Sequence, residues 1–206
     1  YNYNDIKILG DYAYVSQRYQ GFDILNITNP MNVTIVSELK ALQGYEEGIF
    51  PVVLPYGNYT FFVSYSMGLG IANTTNLTNP RFTNWLMATI TGGKGIKVKG
   101  NFSFIPGHNI GTVIVNVTDP KDPKTVCIVR NDERQGDAEI KDDILFVTGA
   151  WGCPIQSINI SDPANPRLLD CAPYVYEKGG MVVVDDLIYM GGSNGTGRGF
   201  FIFNIS

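Results

Sequence analysis

Charged residues are scarce in this chain of 206 residues. Asp, Glu, Lys and Arg make up 17%, against about 25% in typical soluble domains, and the formal net charge is -4. Lys and Arg form no run anywhere, whereas binding to nucleic acid needs a concentrated basic face. We therefore expect no nucleic-acid partner.

Long apolar runs are missing too. No stretch approaches the ~18 residues that a membrane span needs, so we expect no transmembrane segment. The chain starts at Tyr1 with neither an initiator Met nor a signal peptide, which indicates a processed mature chain or a piece of something longer.

Few residues in the sequence could support catalysis or bind a metal. The single histidine, His108, has no His or Cys companions at metal-ligand spacing, and no Gly-x-Ser-x-Gly elbow is present. The first strands of the repeat described below carry few charges, among them Lys97, Lys99, Glu139 and Lys141. We assign no catalytic, cofactor-binding or metal-binding residue and expect no cofactor and no enzyme.

Three acidic pairs could suggest the carboxylates of a glycosidase: Glu46-Glu47, Asp142-Asp143 and Asp185-Asp186. The last two recur in phase at the same turn of a repeat, so they are more simply hairpin residues. A weak calcium site among turn residues such as Asp119 and Asp162 stays open.

One pattern recurs five times along the chain. Each copy has a Gly, a short apolar strand and an Asn, and Asn/Asp-Pro follows in the first four copies, whereas the sequence ends within the fifth. The shared Asn residues are Asn26, Asn76, Asn116, Asn159 and Asn204, with an insertion in the second copy. A polar turn followed by an aromatic-rich strand repeats in phase, as in Asp11–Val15 and Asn101–Ile105. In each full copy, one further strand candidate precedes the polar turn and another follows Asn/Asp-Pro.

Four short strands at a period near 43 residues are typical of a propeller blade. The sequence predicts an all-β chain, a single β-propeller domain over residues 1–206 with about five four-stranded units. The approximate unit bounds are 5–46, 47–92, 93–136, 137–178 and 179–206. The last unit lacks its fourth strand. The alternative that the chain is a fragment of a larger propeller stays open. A β-sandwich also uses many short strands, but it does not require one pattern five times.

The pattern Gly-x-x-Ile-x-Asn/Asp-Ile-Ser/Thr-Asp/Asn-Pro, preceded by an Ala-Tyr-Val-like strand, resembles the LVIVD-type repeat of secreted β-propellers. One departure is Asn at all five positions where such proteins usually carry Asp. The resemblance implies the fold and a surface setting, and it brings no known catalytic residues.

Asparagine occurs in a glycosylation pattern far more often than chance allows. Ten of the 18 Asn residues stand in Asn-x-Ser/Thr, where chance predicts about two. The alternative explanation is that the Asn residues that belong to the repeat were retained as Asx-turn residues. We predict N-glycosylation among Asn26, Asn32, Asn58, Asn73, Asn76, Asn101, Asn116, Asn159, Asn194 and Asn204.

Three cysteines are present. Cys153 and Cys171 fall on consecutive strands that flank one turn, where a cross-strand bridge is possible. We predict that disulfide, with Cys127 buried and free; the alternative is that all three are small buried hydrophobes.

These features favour an extracellular glycosylated structural or adhesive module, secreted or on the cell surface. Its partners would be copies of itself or cell-surface or matrix proteins, and a strand donated by a neighbour to the last unit would give a filament or surface layer. The alternative function is a ligand-binding or hydrolytic propeller that uses loops at one end of a central channel.

Overall fold

The computed structural model describes most of the chain. The described residues are 3–17, 21–40, 52–64, 67–86, 95–107, 110–130, 135–149, 153, 155–172, 177–193 and 197–206. Within these ranges every regular element is a β-strand. The strands form five antiparallel sheets, which we name blades 1 to 5 in chain order, and the fold is a five-bladed β-propeller.

The chain divides into two compact units. Unit 1 contains residues 1–91 and 117–124, and unit 2 contains residues 92–116 and 125–206. The expectation of a single domain over residues 1–206 stays a prediction.

Unit 1 contains blades 1 and 2, each with four strands in sequential order. Blade 1 consists of β1 (Tyr3–Leu9), β2 (Tyr12–Gln17), β3 (Gly21–Asn26) and β4 (Thr34–Lys40). Blade 2 consists of β5 (Val52–Tyr56), β6 (Tyr59–Ser64), β7 (Gly68–Asn73) and β8 (Arg81–Leu86).

Unit 2 contains blades 3 to 5, except for residues 117–124 of blade 3, which belong to unit 1. Blade 3 consists of β9 (Lys97–Lys99), β10 (Phe102–Gly107), β11 (Gly111–Asn116) and β12 (Lys124–Val129). Blade 4 consists of β13 (Ala138–Lys141), β14 (Ile144–Thr148), β15 (Ile155–Asn159) and β16 (Arg167–Ala172). Blade 5 has three strands in the described residues: β17 (Glu177–Val184), β18 (Leu187–Ser193) and β19 (Arg198–Asn204).

A two-residue hairpin joins the first and second strand of every blade. Its first residue has a positive φ each time: the Gly residues at 10, 57 and 100 have φ from 56° to 59°, and Asp142 and Asp185 have φ of 50° and 51°. Glycine, and to a lesser degree Asp, tolerates this left-handed conformation. The acidic pairs of blades 4 and 5 are therefore hairpin residues, as the repeat predicted.

The structure corrects the phase of the second repeat. β7 ends at Asn73, and the six residues from Gly68 match Gly21–Asn26 and Gly111–Asn116 without an insertion. Asn73, and not Asn76, therefore corresponds to Asn26 and Asn116. Asn76 instead occupies the following turn.

Each blade has a front face, which we define as the face that carries the aromatic residue at the third position of its second strand. These aromatics are Tyr14, Phe61, Phe104, Phe146 and Tyr189. Side chains alternate along a strand, so the neighbours of each aromatic in the strand point to the back face. Within each unit the front face of one blade packs on the back face of the next.

The buried clusters show this packing directly. Tyr14 and Ile24 of blade 1 pack with Val53 and Phe62 of blade 2. In unit 2, Phe104 and Ile114 pack with Leu145 and Ile158, and Phe146 and Ile155 pack with Ile188 and Met190. The core of each unit therefore consists of interfaces between successive blades.

Candidate interaction surface and glycan acceptors

An aspartate ties blade 1 to blade 2. Asp5 donates its backbone N–H to Ser16 Oγ at 2.9 Å, which fixes it against the second strand. Its Oδ2 atom accepts the backbone N–H of Val53 at 3.2 Å. A buried amide of the next blade is thereby satisfied by a side chain, because β5 is an edge strand of its sheet among the described residues.

Asp137 repeats this arrangement in unit 2. It donates its backbone N–H to Thr148 Oγ1 at 2.7 Å, and its Oδ2 accepts the N–H of Met181 at 3.0 Å. Asp5 and Asp137 stand at the same position of their repeats, which we call the clasp position; it is occupied by Val52, Gly95 and Gly180 in the other blades.

Lysines in unit 2 connect successive blades by ion pairs. Lys99 reaches Asp143 at 2.6 Å, and Lys141 reaches Asp186. In each case the last residue of a first strand contacts the second hairpin residue of the next blade. Lys97 also pairs with Glu139 at 2.8 Å, so the charges that the sequence placed on these first strands are mutually neutralised.

The second hairpin residue is Asn in blades 2 and 3. Asn58 and Asn101 are exposed and occupy the place that Asp143 and Asp186 fill in blades 4 and 5. The position that carries Lys99 and Lys141 is Leu9 in blade 1 and Tyr56 in blade 2, so no lysine is available there to pair with a hairpin residue. An exposed hairpin Asn has the accessibility that an oligosaccharide needs.

The Asn residues that end the third strands form Asx turns. The Oδ1 atom accepts a backbone N–H two residues later at 2.9 Å in four blades; these Asn residues are Asn26, Asn73, Asn159 and Asn204. The following turn repeats the arrangement at Asn29, Asn76, Asp119 and Asp162. Glycan attaches to Nδ2, which these bonds do not use, so the turn geometry and glycosylation are compatible at the same residue.

Most of the predicted acceptors lie at or near the surface. The exposed ones are Asn32, Asn58, Asn76, Asn101 and Asn204, and the partly buried ones are Asn26, Asn73, Asn116 and Asn159. Asn194 lies outside the described residues. Glycosylation of these ten residues stays a prediction.

The structure places the predicted cysteine pair together, but Cys127, predicted to be buried, is only half-buried. Cys153 and Cys171 form a disulfide with a Cα–Cα distance of 5.4 Å. Cys127 is a half-buried thiol that donates to the carbonyl oxygen of Pro163 at 3.5 Å. Burial first, and then the charge of Asp162, raise the pKa of Cys127, so its thiol stays protonated at neutral pH.

The described residues offer little for a metal or a membrane. They contain no group of three or more His, Cys, Asp or Glu that could hold a metal ion. Within the same ranges, no helix has the length and apolar character to cross a bilayer. His108 and the pair Glu46-Glu47 lie outside the described residues.

Asp119 and Asp162 both take part in turn hydrogen bonds. Asp162 accepts from Asn165 Nδ2 at 2.8 Å and from the backbone N–H of Ala164 at 3.0 Å, and these bonds hold its pKa below the usual value. Turn formation is therefore the role that the geometry gives to these acidic residues.

Blade 5 presents both a bare face and a groove. On its front face Val182, Val184, Phe200 and Ile202 are exposed, and Tyr189 stacks on Phe200 with ring centroids 5.9 Å apart. A groove of about 320 Å³ opens beside β19, where blades 1 to 4 have a fourth strand. Its walls include residues of blades 4 and 5: Phe146, Ile155, Leu169, Ile188, Phe203 and Ile205.

Sequence reasoning missed the clasps. The bonds of Asp5 and Asp137 reach residues 48 and 44 positions away, and no local pattern marks such partners. The signal that could have found them is the shared position seven residues before the second strand.

The solved structures share this fold at low sequence identity. The computationally designed Ika8 protein matches 98% of this chain with a TM-score of 0.69 at 10% identity, and this chain spans 58% of its length. The designed Ika4 protein matches over 81% of this chain and 96% of its own, with a TM-score of 0.60 at 11% identity. No curated protein matches the sequence.

The chain is thus a β-propeller, a fold of the kind that proteins use for interaction. The LVIVD repeat family matches residues 2–40 and 93–130, which are blades 1 and 3. The resemblance to the LVIVD repeat drawn from the sequence is confirmed at these two segments.

Proposed function

We propose that this chain is an extracellular, N-glycosylated structural or adhesive module that works by association and not by turnover. The observation that carries the proposal is the exposed apolar front face of blade 5, together with the groove beside β19. Such a surface is unusual on an isolated soluble domain and is typical of an interaction site. The partner that we infer for this groove is a β-strand, which would pair with the outer edge of β19.

The density of glycosylation patterns supports the extracellular setting. Five of the ten acceptors are exposed, and the hairpin residues Asn58 and Asn101 lack the charge pairing of their counterparts. The disulfide between Cys153 and Cys171 also suits an oxidising compartment.

Mapping the occupied asparagines tests the glycosylation. The chain would be produced through a eukaryotic secretory pathway, released from glycan enzymatically in ¹⁸O water, and mapped by peptide mass spectrometry. We expect labelled Asp at Asn58 and Asn101. Asn165 is exposed but precedes Pro, so it serves as the unlabelled control. Unlabelled acceptors throughout would leave the Asx turns as the whole explanation.

A strand peptide tests association at β19. The peptide is the β4 segment, residues 33–40, which contains no cysteine. We expect it to perturb the backbone NMR signals of β19 more than a scrambled peptide does. Ile202→Pro should abolish the effect because proline cannot donate to a strand ladder. Equal effects of the two peptides would contradict strand acceptance.

A further inference from the structure

The second residue of every second strand is buried, whichever side chain occupies it. These five residues are Ala13, Thr60, Ser103, Leu145 and Ile188, and none is more than 1% exposed. They lie on the back faces of their blades, next to the aromatic residues that define the front faces. Such a position favours an apolar side chain, because a buried hydroxyl costs free energy unless it is hydrogen-bonded.

A hydroxyl occupies this buried position only in the two blades that carry Asn in the hairpin. Asn58 precedes Thr60 by two residues, and Asn101 precedes Ser103 by two residues. In the other blades an aspartate fills the hairpin position and the buried residue is apolar; these aspartates are Asp11, Asp143 and Asp186. The two hydroxyls therefore accompany the glycosylation pattern, whereas the core at this position is otherwise apolar.

The hydroxyl of Ser103 makes no contact that would stabilise the fold. Ser103 is 0% exposed and lies opposite Val98 and Val115 of the two neighbouring strands. Among the described residues, its Oγ atom has no hydrogen-bond partner. A buried unpaired hydroxyl lowers stability, so its presence requires an explanation other than folding.

Thr60 is hidden in the same way. It is 0% exposed and lies opposite Pro55 and Ala72 of the neighbouring strands. Its Oγ1 atom lies 3.1 Å from that of Thr74, a residue that is 5% exposed. In both hairpins the Asn is thus exposed, while the hydroxyl that completes the glycosylation pattern is enclosed by the blade.

The acceptors in the turns between third and fourth strands differ from those in the hairpins. Asn32 and Thr34 are both exposed, and so are Asn76 and Thr78. Thr78 Oγ1 donates to Asn76 Oδ1 at 2.8 Å, so this hydroxyl lies beside its acceptor on the surface. Because the pattern is defined by both the Asn and the hydroxyl, an enzyme can reach the whole pattern of these turns in the folded chain.

We propose that Asn58 and Asn101 are glycosylated before β6 and β10 fold, and that Thr60 and Ser103 are retained at buried positions because the transferase reads them on the unfolded chain. The inference rests on the proposed glycosylation and adds when these two sites are modified. In the transfer, Nδ2 forms a bond to C1 of a lipid-linked sugar phosphate. The C1–O bond to the phosphate breaks, the lipid phosphate leaves with the bonding electrons, and Nδ2 loses a proton to a base.

Glycosylation in vitro before and after folding tests the order of events. Sugar-free chain is mixed with an oligosaccharyltransferase and its lipid-linked donor, either at the moment of dilution from denaturant or after refolding is complete. Peptide mass spectrometry then gives the occupancy of each acceptor. We expect Asn58 and Asn101 to be modified only in the first sample and Asn76 in both. Modification of Asn58 and Asn101 in the refolded chain to the extent seen at Asn76 overturns the proposal.

Ser103→Ala tests why the hydroxyl is present. In the sugar-free chain we expect the denaturant midpoint to rise or stay unchanged, because the variant loses no hydrogen bond and removes an unpaired hydroxyl. Ser16→Ala is the matched control: Ser16 is also 0% exposed on a second strand, but its Oγ accepts the N–H of Asp5, so the midpoint should fall. An equal fall for Ser103→Ala would show that Ser103 serves the fold and would overturn its proposed role.

The two proposals fail separately. A secreted chain without sugar at any acceptor would remove the glycosylation on which both rest. Sugar at Asn58 and Asn101 that is added equally well after folding would remove only the order of events and leave the proposed function in place.

Discussion

The blade interface in unit 1 and those in unit 2 have the same geometry but different chemistry. In unit 1 the contact between blades 1 and 2 is aromatic: Phe22 and Phe62 lie with centroids 5.5 Å apart, and Phe62 meets Trp85 at 5.2 Å. In unit 2 the contacts are mainly aliphatic, and ion pairs such as Lys99–Asp143 span them. The Asp clasp is present in both units. The repeat therefore fixes the backbone contact and leaves the side chains free to vary.

The largest expected effect compares one repeat position in two blades, where its side chain is buried in blade 1 and exposed in blade 5. Phe22→Ala should lower the free energy of unfolding by about 3–5 kcal/mol because it opens a cavity in the aromatic cluster. Phe200→Ala should change it by less than about 0.5 kcal/mol in a dilute monomer because Phe200 is exposed. Denaturant titration measures both values, and equal losses would contradict the assignment of the two faces.

The clasps should have intermediate and similar effects in the two units. Asp5→Ala and Asp137→Ala should each cost about 1–3 kcal/mol because a backbone N–H of the next blade loses its acceptor. Asn at either position keeps an acceptor oxygen and should cost less. Denaturant titration with Asp122→Ala as the control, an exposed ion-pair residue, gives the comparison. A loss no larger than that control would remove the clasps from the account.

The smallest expected effect on stability concerns an ion pair between two blades of unit 2. Lys141→Met should cost about 0.2–1 kcal/mol at low salt, and the cost should shrink in 1 M salt because the pair with Asp186 is exposed. Leu9→Met, at the same position in unit 1, should show no salt dependence. The comparison requires thermal unfolding at both salt concentrations. A salt-independent loss at Lys141 would show that packing of its stem, and not charge, is the cause.

The sequence predicted the blades because their signals are local. Turn chemistry at Gly57 or Asn29, and aromatic alternation in β2, are set by neighbours in the chain. The phase of blade 2 was misread because Asn73 and Asn76 both begin Asx turns, so two similar patterns overlap three residues apart.

Contacts between blades could not be predicted from the sequence. Asp5 looks like an ordinary polar residue before a strand, and its acceptor role depends on an amide 48 residues away. Likewise, Lys99 and Lys141 were identified only as charges, because pairing with the next hairpin requires the stacking geometry. Phe200 is exposed and Phe22 is buried although both are Phe at the same position of the repeat, so the residue type alone does not predict the burial.

Hydroxyl-radical footprinting of the glycosylated chain across protein concentration tests the central claim most directly. The claim is that the chain works by association and that the apolar front face of blade 5 is a contact surface. Oxidation of Phe200 and Ile202, which are 67% and 57% exposed, should fall as concentration rises, while that of Met31 stays constant as the internal control. Constant oxidation of all three side chains up to high concentration would contradict it.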